Sequence, residues 1–370
     1  MNDTTISITR LLTDKVALNH SRIDARAMPL PLAQGEALLK ISRVAITTNN
    51  ITYAAFGDAM QYWDFFPTND DAWGHMPVWG FADVVASTVS GVEIGERFYG
   101  YFPIASHLNV VPQRVTARGF YDGAEHRKLL TSAYNQYTRC SQDAGYLPQR
   151  EDHQMVVRPL FITSFMLADF LQDNAYFGAR QLVVSSASSK TAYGTAFCLQ
   201  GERDIELCAL TSERNAAFVE GLGCYRQTTT YDALGSIRRD VPTLYVDFSG
   251  DESLRERVHH HFGDALVYDC FAGSAQNTNF LRDTDLPGPA PKFFFAPVQI
   301  KKRNADWGHA LFNQNFNAAQ LGFVERIADR ARPWMRVVEN RGYAAAQGLI
   351  AKLHAGGADP QEGHVVVLGD

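Results

Sequence analysis

The sequence lacks the features that would tie it to a membrane or to a nucleic acid. No apolar run reaches the ~18 residues that a membrane-spanning helix needs. The 370 residues carry a net charge of -6, and a chain of this sign does not bind a polyanion through its bulk charge. We therefore expect no membrane and no nucleic acid among the partners of this protein.

Cysteine is scarce and follows no pattern. The five cysteines, at positions 140, 198, 208, 224 and 270, are odd in number and widely spread, and no CxxC pair occurs. Such usage indicates a reducing compartment and no disulfide framework. The N-terminal residues MNDTTISITRLLTDK also lack the basic and apolar regions of a signal peptide. The sequence therefore predicts a cytoplasmic location.

The chain is long enough for two or three domains, at roughly 150 residues for each. Hydrophobic residues make up 46% of the sequence, which supplies a sizeable core. Within residues 1–155, apolar or alternating runs at 6–9, 37–44 and 81–89 are broken by turn residues, which predicts an antiparallel, barrel-like domain. Residues 118–150 have little periodicity, and we expect an irregular insertion there that acts as a lid.

Strands and helices alternate from residue 156 to residue 300, and this pattern predicts a parallel sheet covered by helices on both faces. The segment 301–370 contains two helical stretches and a final strand at 364–368. Because this strand follows so far behind the others, we expect the last segment to return to the first domain. No internal repeat is apparent.

The strongest local signal is the segment 181–197, QLVVSSASSKTAYGTAF, in which an apolar strand runs through small polar residues into a helix. Free N–H groups at such a helix N-terminus bind phosphate, although the glycines of G-x-G-x-x-G are absent here. The candidate nucleotide-binding residues are Ser185, Ser186, Ser188, Ser189, Lys190 and Thr191. A plain strand-to-helix turn capped by serine explains the segment equally well. A Walker A loop is disfavoured, because both of its glycines are missing.

The next predicted strand, at 205–210, ends in polar residues that bear on the choice of nucleotide. An acidic residue at this tip binds the ribose of NAD, whereas hydroxyl groups and an arginine suit the 2′-phosphate of NADP. Thr211, Ser212 and Arg214 occupy these positions and predict NADPH as the cofactor. The alternative is a capping box in which Ser212 opens a helix, and the two roles are compatible.

Taken in order, these segments resemble the medium-chain dehydrogenase/reductase superfamily, and in particular its zinc-free quinone and enoyl reductases. Residues 35–58 (GEALLKISRVAITTNNITYAAFGD) are similar to its early strand and N-x-x-D-x-Y-x-x-x-G segment, and 348–368 look like its closing segment. The resemblance implies an α/β fold with a GroES-like β-barrel catalytic domain and a Rossmann domain built on a doubly wound parallel sheet. The details SSASSKTAYG and KFFFAPVQI indicate an uncharacterised branch, known mainly as a domain-of-unknown-function family.

The sequence departs from this superfamily where a metal would bind. The positions of its His-Glu pair fall on Phe81 and Ala82, and no cysteine lies within residues 47–52. The fingerprint glycines fall on Ser185, Ser188 and Thr191. Zinc requires converging Cys, His or carboxylate ligands, so we expect no catalytic metal. The consecutive histidines at 259–261 point in different directions on a helix and are expected to form an exposed patch.

Hydride transfer without a metal requires a hydroxyl or amide group to stabilise and protonate the developing enolate or phenolate. The resemblance places Tyr53 where related reductases carry a tyrosine, and Thr163 where they carry a threonine beside the nicotinamide. Tyr53 is the candidate proton donor, and Asn50 or Asn49 would orient the substrate carbonyl or the nicotinamide. Alternatively, Tyr53 is a half-buried aromatic residue whose hydroxyl binds a carbonyl. The aromatic run QYWDFF at 61–66 walls an apolar substrate pocket, or it serves core packing or a subunit contact.

The leading hypothesis is a zinc-independent, NADPH-dependent oxidoreductase that transfers hydride to an activated C=C bond or a quinone. Its partner is a small molecule, apolar or linked to an acyl carrier, for which the basic run at 301–303 offers a docking surface. The competing hypothesis is a binding protein that kept the fold with an impaired nucleotide site. We expect a homodimer in which a strand at 293–297 pairs across the sheet edge.

Overall fold

The chain folds into two units in a computed structural model that describes residues 4–273 and 286–369. The first unit comprises Met1–Val156 and Arg336–Asp370, and the second comprises Val157–Met335. The α/β fold class predicted from the sequence is confirmed. The return to the first unit begins at Arg336 rather than at residue 301, because the helices that precede it pack within the second unit.

The first unit is built mainly of antiparallel strands. Its strands are β1 (Thr4–Asp14), β2 (Ser21–Leu30), β3 (Ala37–Ile46), β4 (Trp73–Gly74), β5 (Val78–Ser87), β6 (Arg97–Phe102), β7 (His107–Val110), β8 (Pro112–Thr116), β9 (Gly119–Asp122), β10 (Gln136–Arg139), β17 (Arg336–Arg341) and β18 (Glu362–Val367). Its helices are α1 (Thr48–Ala55) and α8 (Gly342–His354). One sheet has the order β17-β18-β3-β5-β6-β10-β9-β8, with β7 paired to β3, and β2-β1-β4 form the other. The strands β17 and β18 from the last part of the chain thus extend this sheet on the side of β3.

The segment 118–150, expected to be an irregular insertion, contributes the strands β9 and β10 to this sheet, with turns and short 3-10 helices in the rest of it. Its strands β9 and β10 pair with each other, and β10 also pairs with β6. Between them, Arg127 is only 1% exposed, lies 3.1 Å from Asp122 through Nε, and stacks over the ring of Phe66. A polar composition concealed this core position, because a buried ion pair leaves no hydrophobic signal in the sequence.

The second unit is a parallel sheet flanked by helices. Its strands are β11 (Gln181–Val184), β12 (Glu206–Thr211), β13 (Gln227–Thr230), β14 (Thr243–Asp247), β15 (Leu266–Phe271) and β16 (Lys292–Phe293). Its helices are α2 (Glu151–Asp173, which includes the boundary at Val156), α3 (Lys190–Cys198), α4 (Ala216–Leu222), α5 (Glu252–Phe262), α6 (Ala296–Trp307) and α7 (His309–Ile327). The strand order β13-β12-β11-β14-β15-β16 is the 3-2-1-4-5-6 order of the Rossmann fold, with all neighbours parallel.

Two local expectations are corrected in this unit. The strand expected at 293–297 is limited to Lys292–Phe293, because Pro297 occupies the first turn of α6, where its fixed φ is favourable. The histidines at 259–261 do not form an exposed patch. The side chain of His259 is 0% exposed, whereas that of His260 is 63% exposed. Successive residues of a helix point in different directions about its axis, so His259 faces the core and His260 faces solvent.

One helical stretch, Pro148–Asp173, is long and apolar enough to cross a membrane, and more than half of it is buried within the structure. The ring of Phe161, on this helix, stacks on the ring of Phe323 within the second unit, and the two ring centroids lie 4.5 Å apart. Ser164 Oγ donates to the carbonyl of Thr191 at 2.8 Å, and a Cβ on Gly194 would lie 2.6 Å from the same Oγ. These contacts are those of a core helix packed closely against α3.

The burial of His75 makes the first unit sensitive to acid. Its side chain lies against Phe66, and burial, reinforced by the charge of Arg10, lowers its pKa from 6.5 to about 3. An unfolded chain binds a proton at this residue below about pH 6.5, whereas the folded chain does so only near pH 3. Stability from His75 is therefore present above pH 6.5 and is lost as the pH falls toward 3.

We expect His75→Gln to reduce the difference in melting temperature between about pH 7 and about pH 4.5. The variant removes a group whose protonation changes the free energy of unfolding by up to ~1.4 kcal/mol per pH unit. Circular dichroism melts at the two pH values measure it. The matched control is His20→Gln, since His20 is exposed in the same unit. An equal pH difference in the wild type and both variants would contradict this account.

Candidate functional site

The predicted nucleotide-binding loop joins β11 to α3 at the centre of the parallel sheet. Ser189 is the N-cap of α3, and its side chain accepts from the backbone N–H of Ala192 at 3.3 Å. Ser186 has a φ of 46°, in the left-handed region that usually requires glycine. The loop therefore turns as a glycine fingerprint does, but with serine at the strained position. Lys190 and Thr191 form the first turn of the helix and are partly exposed.

All four loop serines are engaged within the protein, Ser189 through the capping bond just described. Ser185 is 0% exposed, and its Oγ donates to Asp247 Oδ1 at 2.9 Å. Ser188 Oγ accepts from Asn215 Nδ2 at 3.0 Å. The backbone N–H of Ser186 donates to the hydroxyl of Tyr231 at 3.2 Å. The side chains of Ser185 and Ser188 thus fix the loop, and ligand contact is left to Ser186, to the start of α3 and to the main chain.

The end of β12 offers polar groups that the protein does not use. Thr211 is 1% exposed, and its Oγ1 has no hydrogen-bond partner among the residues that the structure describes. Ser212 opens a 3-10 helix, Glu213–Asn215, without a side-chain capping bond, so the alternative of a capping box is not formed. Arg214 is exposed. The three residues predicted to bind the 2′-phosphate therefore stand together at one strand end.

These observations fit a dinucleotide. The loop lies at the carboxyl end of β11, beside the point where the strand order reverses between β11 and β14, which is where open α/β sheets bind nucleotides. Most of its side chains are small, and the left-handed turn at Ser186 leads the chain into the N-terminus of α3, where a phosphate could bind. The orphaned hydroxyl of Thr211 supplies a donor near the expected adenosine ribose.

Tyr53 lies in a buried cluster of aromatic side chains in the first unit. Its ring centroid is 4.8 Å from that of Tyr62 and 5.6 Å from that of Tyr101. Trp79 Nε1 donates to Tyr53 Oη at 3.2 Å, and the hydroxyls of Tyr62 and Tyr134 are 3.1 Å apart. Burial, and then the neighbouring Tyr62, raises the pKa of Tyr53 above its usual range. Tyr53 is therefore held as a neutral phenol rather than as a phenolate.

Asn50 is committed to the structure of α1. Its Oδ1 accepts from the backbone N–H of Thr47 at 2.7 Å, which forms a capping box, and its Nδ2 donates to the carbonyl of Pro77 at 2.8 Å. Asn49 is partly exposed and forms a side-chain hydrogen bond with Tyr53. Tyr53 and Asn50 thus share one helix, while Thr163 lies on α2 in the second unit and is partly exposed.

The aromatic run at 61–66 belongs to the core. Tyr62, Trp63, Phe65 and Phe66 are each no more than 7% exposed. A Cβ on Gly57 or Gly74 would overlap the indole of Trp63, so these glycines are required for its close approach. Of the interpretations that the sequence left open, core packing is the one that the structure gives for Trp63. Tyr62 also reaches the Tyr53 cluster.

Several residues near the loop were not anticipated from the sequence. Asp247 and Asp269, with Arg255 and His259, form a buried charged cluster at the ends of β14 and β15. An aspartate at the end of an apolar strand, followed by Arg and His four residues apart on a helix, was the available signal. Within residues 4–273 and 286–369, no group of three or more His, Cys, Asp or Glu side chains is arranged to hold a metal ion.

A family model described as "Protein of unknown function (DUF2855)" matches residues 44–359 of the chain. No curated protein matches it in sequence. The NADPH complex of CurA from Vibrio vulnificus is similar in structure, with a TM-score of 0.58, 12% identity, and coverage of 98% of this chain and 99% of that chain. CurK enoyl reductase has a TM-score of 0.53, 10% identity, and coverage of 98% and 99%.

A further similar structure is the complex of Etr1p with NADP and crotonyl-CoA, with a TM-score of 0.55, 11% identity, and coverage of 98% of this chain and 100% of that chain. At these identities the likeness shows a shared fold that extends over nearly the whole chain.

Proposed function

This chain belongs to the family described as protein of unknown function DUF2855, and we propose that it is an NADPH-dependent reductase of an activated C=C bond or a quinone. The observation that carries the proposal is the loop from Ser185 to Thr191, which joins β11 to α3 beside the reversal of strand order. The solved relatives with NADPH or NADP bound have the same fold at low identity. They support the class of cofactor but not a particular substrate.

We assign the dinucleotide to the parallel sheet of the second unit. The N-terminus of α3, with Lys190 and Thr191 in its first turn, would face the pyrophosphate, and Ser186 and Ser189 would shape the turn that leads into it. Thr211, Ser212 and Arg214 would face the 2′-phosphate, for which an exposed guanidinium is suited. Ser185 and Ser188 act by shaping the loop. When bound, the reduced nicotinamide supplies a hydride to the substrate.

The proton that completes the reduction is assigned to Tyr53. The Trp79 indole donates to its oxygen, which leaves the phenolic O–H available to a developing enolate or phenolate. The fully buried Tyr101 has no partner for its hydroxyl among the described residues and offers a second donor in the same cluster. Asn50 positions α1, Asn49 lies beside Tyr53, and Thr163 is the residue assigned to the nicotinamide.

A small molecule is the better supported substrate class, because the basic run at 301–303 is not a free surface. Arg303 pairs with Asp169, Asp173 and Asp306, and Lys302 pairs with Asp173 and Asp306. The run thus serves helix packing within the second unit, and it offers little charge to an acidic carrier protein.

A second function is favoured by one observation: Ser185 and Ser188 bond within the protein and not toward a ligand. A binding protein that kept the fold and lost the cofactor would show such a loop. The two functions differ in the response to NADPH, because only the reductase binds it.

We expect NADPH fluorescence titration of the purified chain to give saturable binding, with NADPH preferred over NADH. Arg214→Ala should weaken the binding of NADPH by about tenfold, which is the effect of losing one charge-assisted contact, and should leave the affinity for NADH nearly unchanged. The control is Arg203→Ala, an exposed arginine of the same unit that precedes β12 rather than following it. An equal loss for both nucleotides would remove the role of Arg214, and no binding of either at millimolar concentration would favour the second function.

We expect Tyr53→Phe to lower the turnover of an enone or quinone by roughly 100-fold, as loss of a general acid does, while the affinity for NADPH stays constant. Steady-state kinetics with separate titration of NADPH measures both quantities. Tyr343→Phe is the control, since Tyr343 also loses a hydroxyl hydrogen bond, to the carbonyl of Thr9, in the first unit. Unchanged turnover in Tyr53→Phe would assign the proton to another group.

We further propose a homodimer through the edge of the parallel sheet. In the described residues β16 pairs only with β15, and Phe293 and Phe295 are 46% and 40% exposed beside it. A second copy would cover these rings and continue the sheet. Light scattering should give a dimer for the wild type and a monomer for Phe293→Glu, with Leu129→Glu, at an exposed site on the first unit, as the control. A monomeric wild type would refute the proposal.

A further inference from the structure

Asp247, the last residue of β14, is the centre of a buried hydrogen-bond network. Its Oδ1 accepts from Ser185 Oγ, from the backbone N–H groups of Ser249 and Gly250, and from Ser249 Oγ, at 2.7 to 3.0 Å. Its Oδ2 accepts from Arg255 Nη2 at 2.8 Å. Five donors thus surround this carboxylate, four at Oδ1 and one at Oδ2, and they fix its direction.

Ser185 is the link between this network and the nucleotide loop. Besides donating to Asp247, its Oγ accepts from the backbone N–H groups of Phe248 and Ser249 at 3.0 and 3.1 Å. One hydroxyl thus ties the end of β11 to the end of β14, across the reversal of strand order. A glycine, which the dinucleotide fingerprint carries at this place, has no side chain to make such a link.

The charge of Asp247 is balanced by neighbours that are also buried. Arg255 Nε lies 4.0 Å from Asp269 Oδ2, which in turn is 2.8 Å from His259 Nε2. His259 Nδ1 donates to the carbonyl of Pro287 at 2.7 Å, since a carbonyl only accepts. Moving Asp247 would leave Arg255 without its partner in a buried site, which is costly.

We propose that Asp247 is a positioning residue for the nucleotide-binding loop, and that Ser185 holds this loop in its binding conformation by bonding to the protein instead of to the cofactor. The inference rests on the proposed function, because it names how the same loop binds a dinucleotide without its glycines. A loop ordered in advance loses little conformational entropy when the ligand binds. The serines of this loop are thus a substitute for the glycine fingerprint.

The test is the affinity of Ser185→Ala and Ser185→Gly for NADPH, with turnover measured at saturating NADPH. We expect both variants to bind NADPH at least about tenfold more weakly, because the loop loses its link to Asp247, while kcat changes less than about threefold. The split between affinity and kcat separates positioning from general damage. If either variant binds as tightly as the wild type, the link is not needed and the proposal fails.

The two strands supply a matched control at their other ends. Gln181 Nε2 donates to Thr243 Oγ1 at 3.0 Å, and these two residues begin β11 and β14 and pair with each other. Thr243→Val therefore removes a buried hydrogen bond between the same strands, away from the loop. We expect a lower melting temperature with an unchanged affinity for NADPH. An equal loss of affinity in Thr243→Val would show that Ser185 acts only through overall stability.

A measurement on the wild type depends neither on whether the variants fold nor on whether the proposed function is correct. Hydrogen exchange of residues 185–190 should be slow before any nucleotide is added, since the N–H groups of Ser185, Ser186, Ala187 and Ser189 are all bonded. Fast exchange in the free protein would overturn the proposal. Slow exchange without binding of NADPH or NADH would support the fixed loop and refute the proposed function instead.

Discussion

The structure depends on one buried contact, between the hydroxyl of Ser185 and the carboxylate of Asp247. A parallel sheet that reverses its strand order leaves a crevice between the two central strands, and the loops on either side must be held at a fixed spacing for a ligand to fit. Where glycine is absent, the backbone cannot follow the usual path without help. A charge-assisted hydrogen bond in a buried setting provides that help, and Arg255 keeps the charge in place.

In the first unit, burial changes the pKa values of a cluster of tyrosines. Tyr53, Tyr62, Tyr101 and Tyr134 pack their rings with that of Trp79. The hydroxyls of Tyr62 and Tyr134 bond to each other, and that of Tyr53 accepts from the Trp79 indole. Burial raises the pKa values of Tyr53, Tyr62, Tyr101 and Tyr134, because a phenolate is poorly solvated there. The cluster therefore holds protons that an exposed tyrosine would release more readily.

Regular segments were well predicted, because their apolar spacing is set by their own period. The strand expected at 37–44 is β3, and the helix expected at 343–354 is α8. Segments whose core contacts are polar were not well predicted from the sequence. Residues 118–150 carry the buried pair of Arg127 and Asp122, and α5 buries His259, yet both read as surface. A loop joins β11 to α3 at 185–189, where the sequence predicts a turn from strand to helix, but the sequence did not reveal that Ser185 points inward to Asp247.

The sequence by itself determined the α/β class, the place of the loop between a strand and a helix, and the polar residues that follow β12. Those features depend on local patterns of side chains. Only the tertiary structure decided which partners the loop hydroxyls bond to within the protein. Ser185 meets Asp247 across a separation of 62 residues, and Tyr53 meets Tyr134 through packing of distant elements. Such partners are set by strand order and burial, and no local pattern in the chain records them.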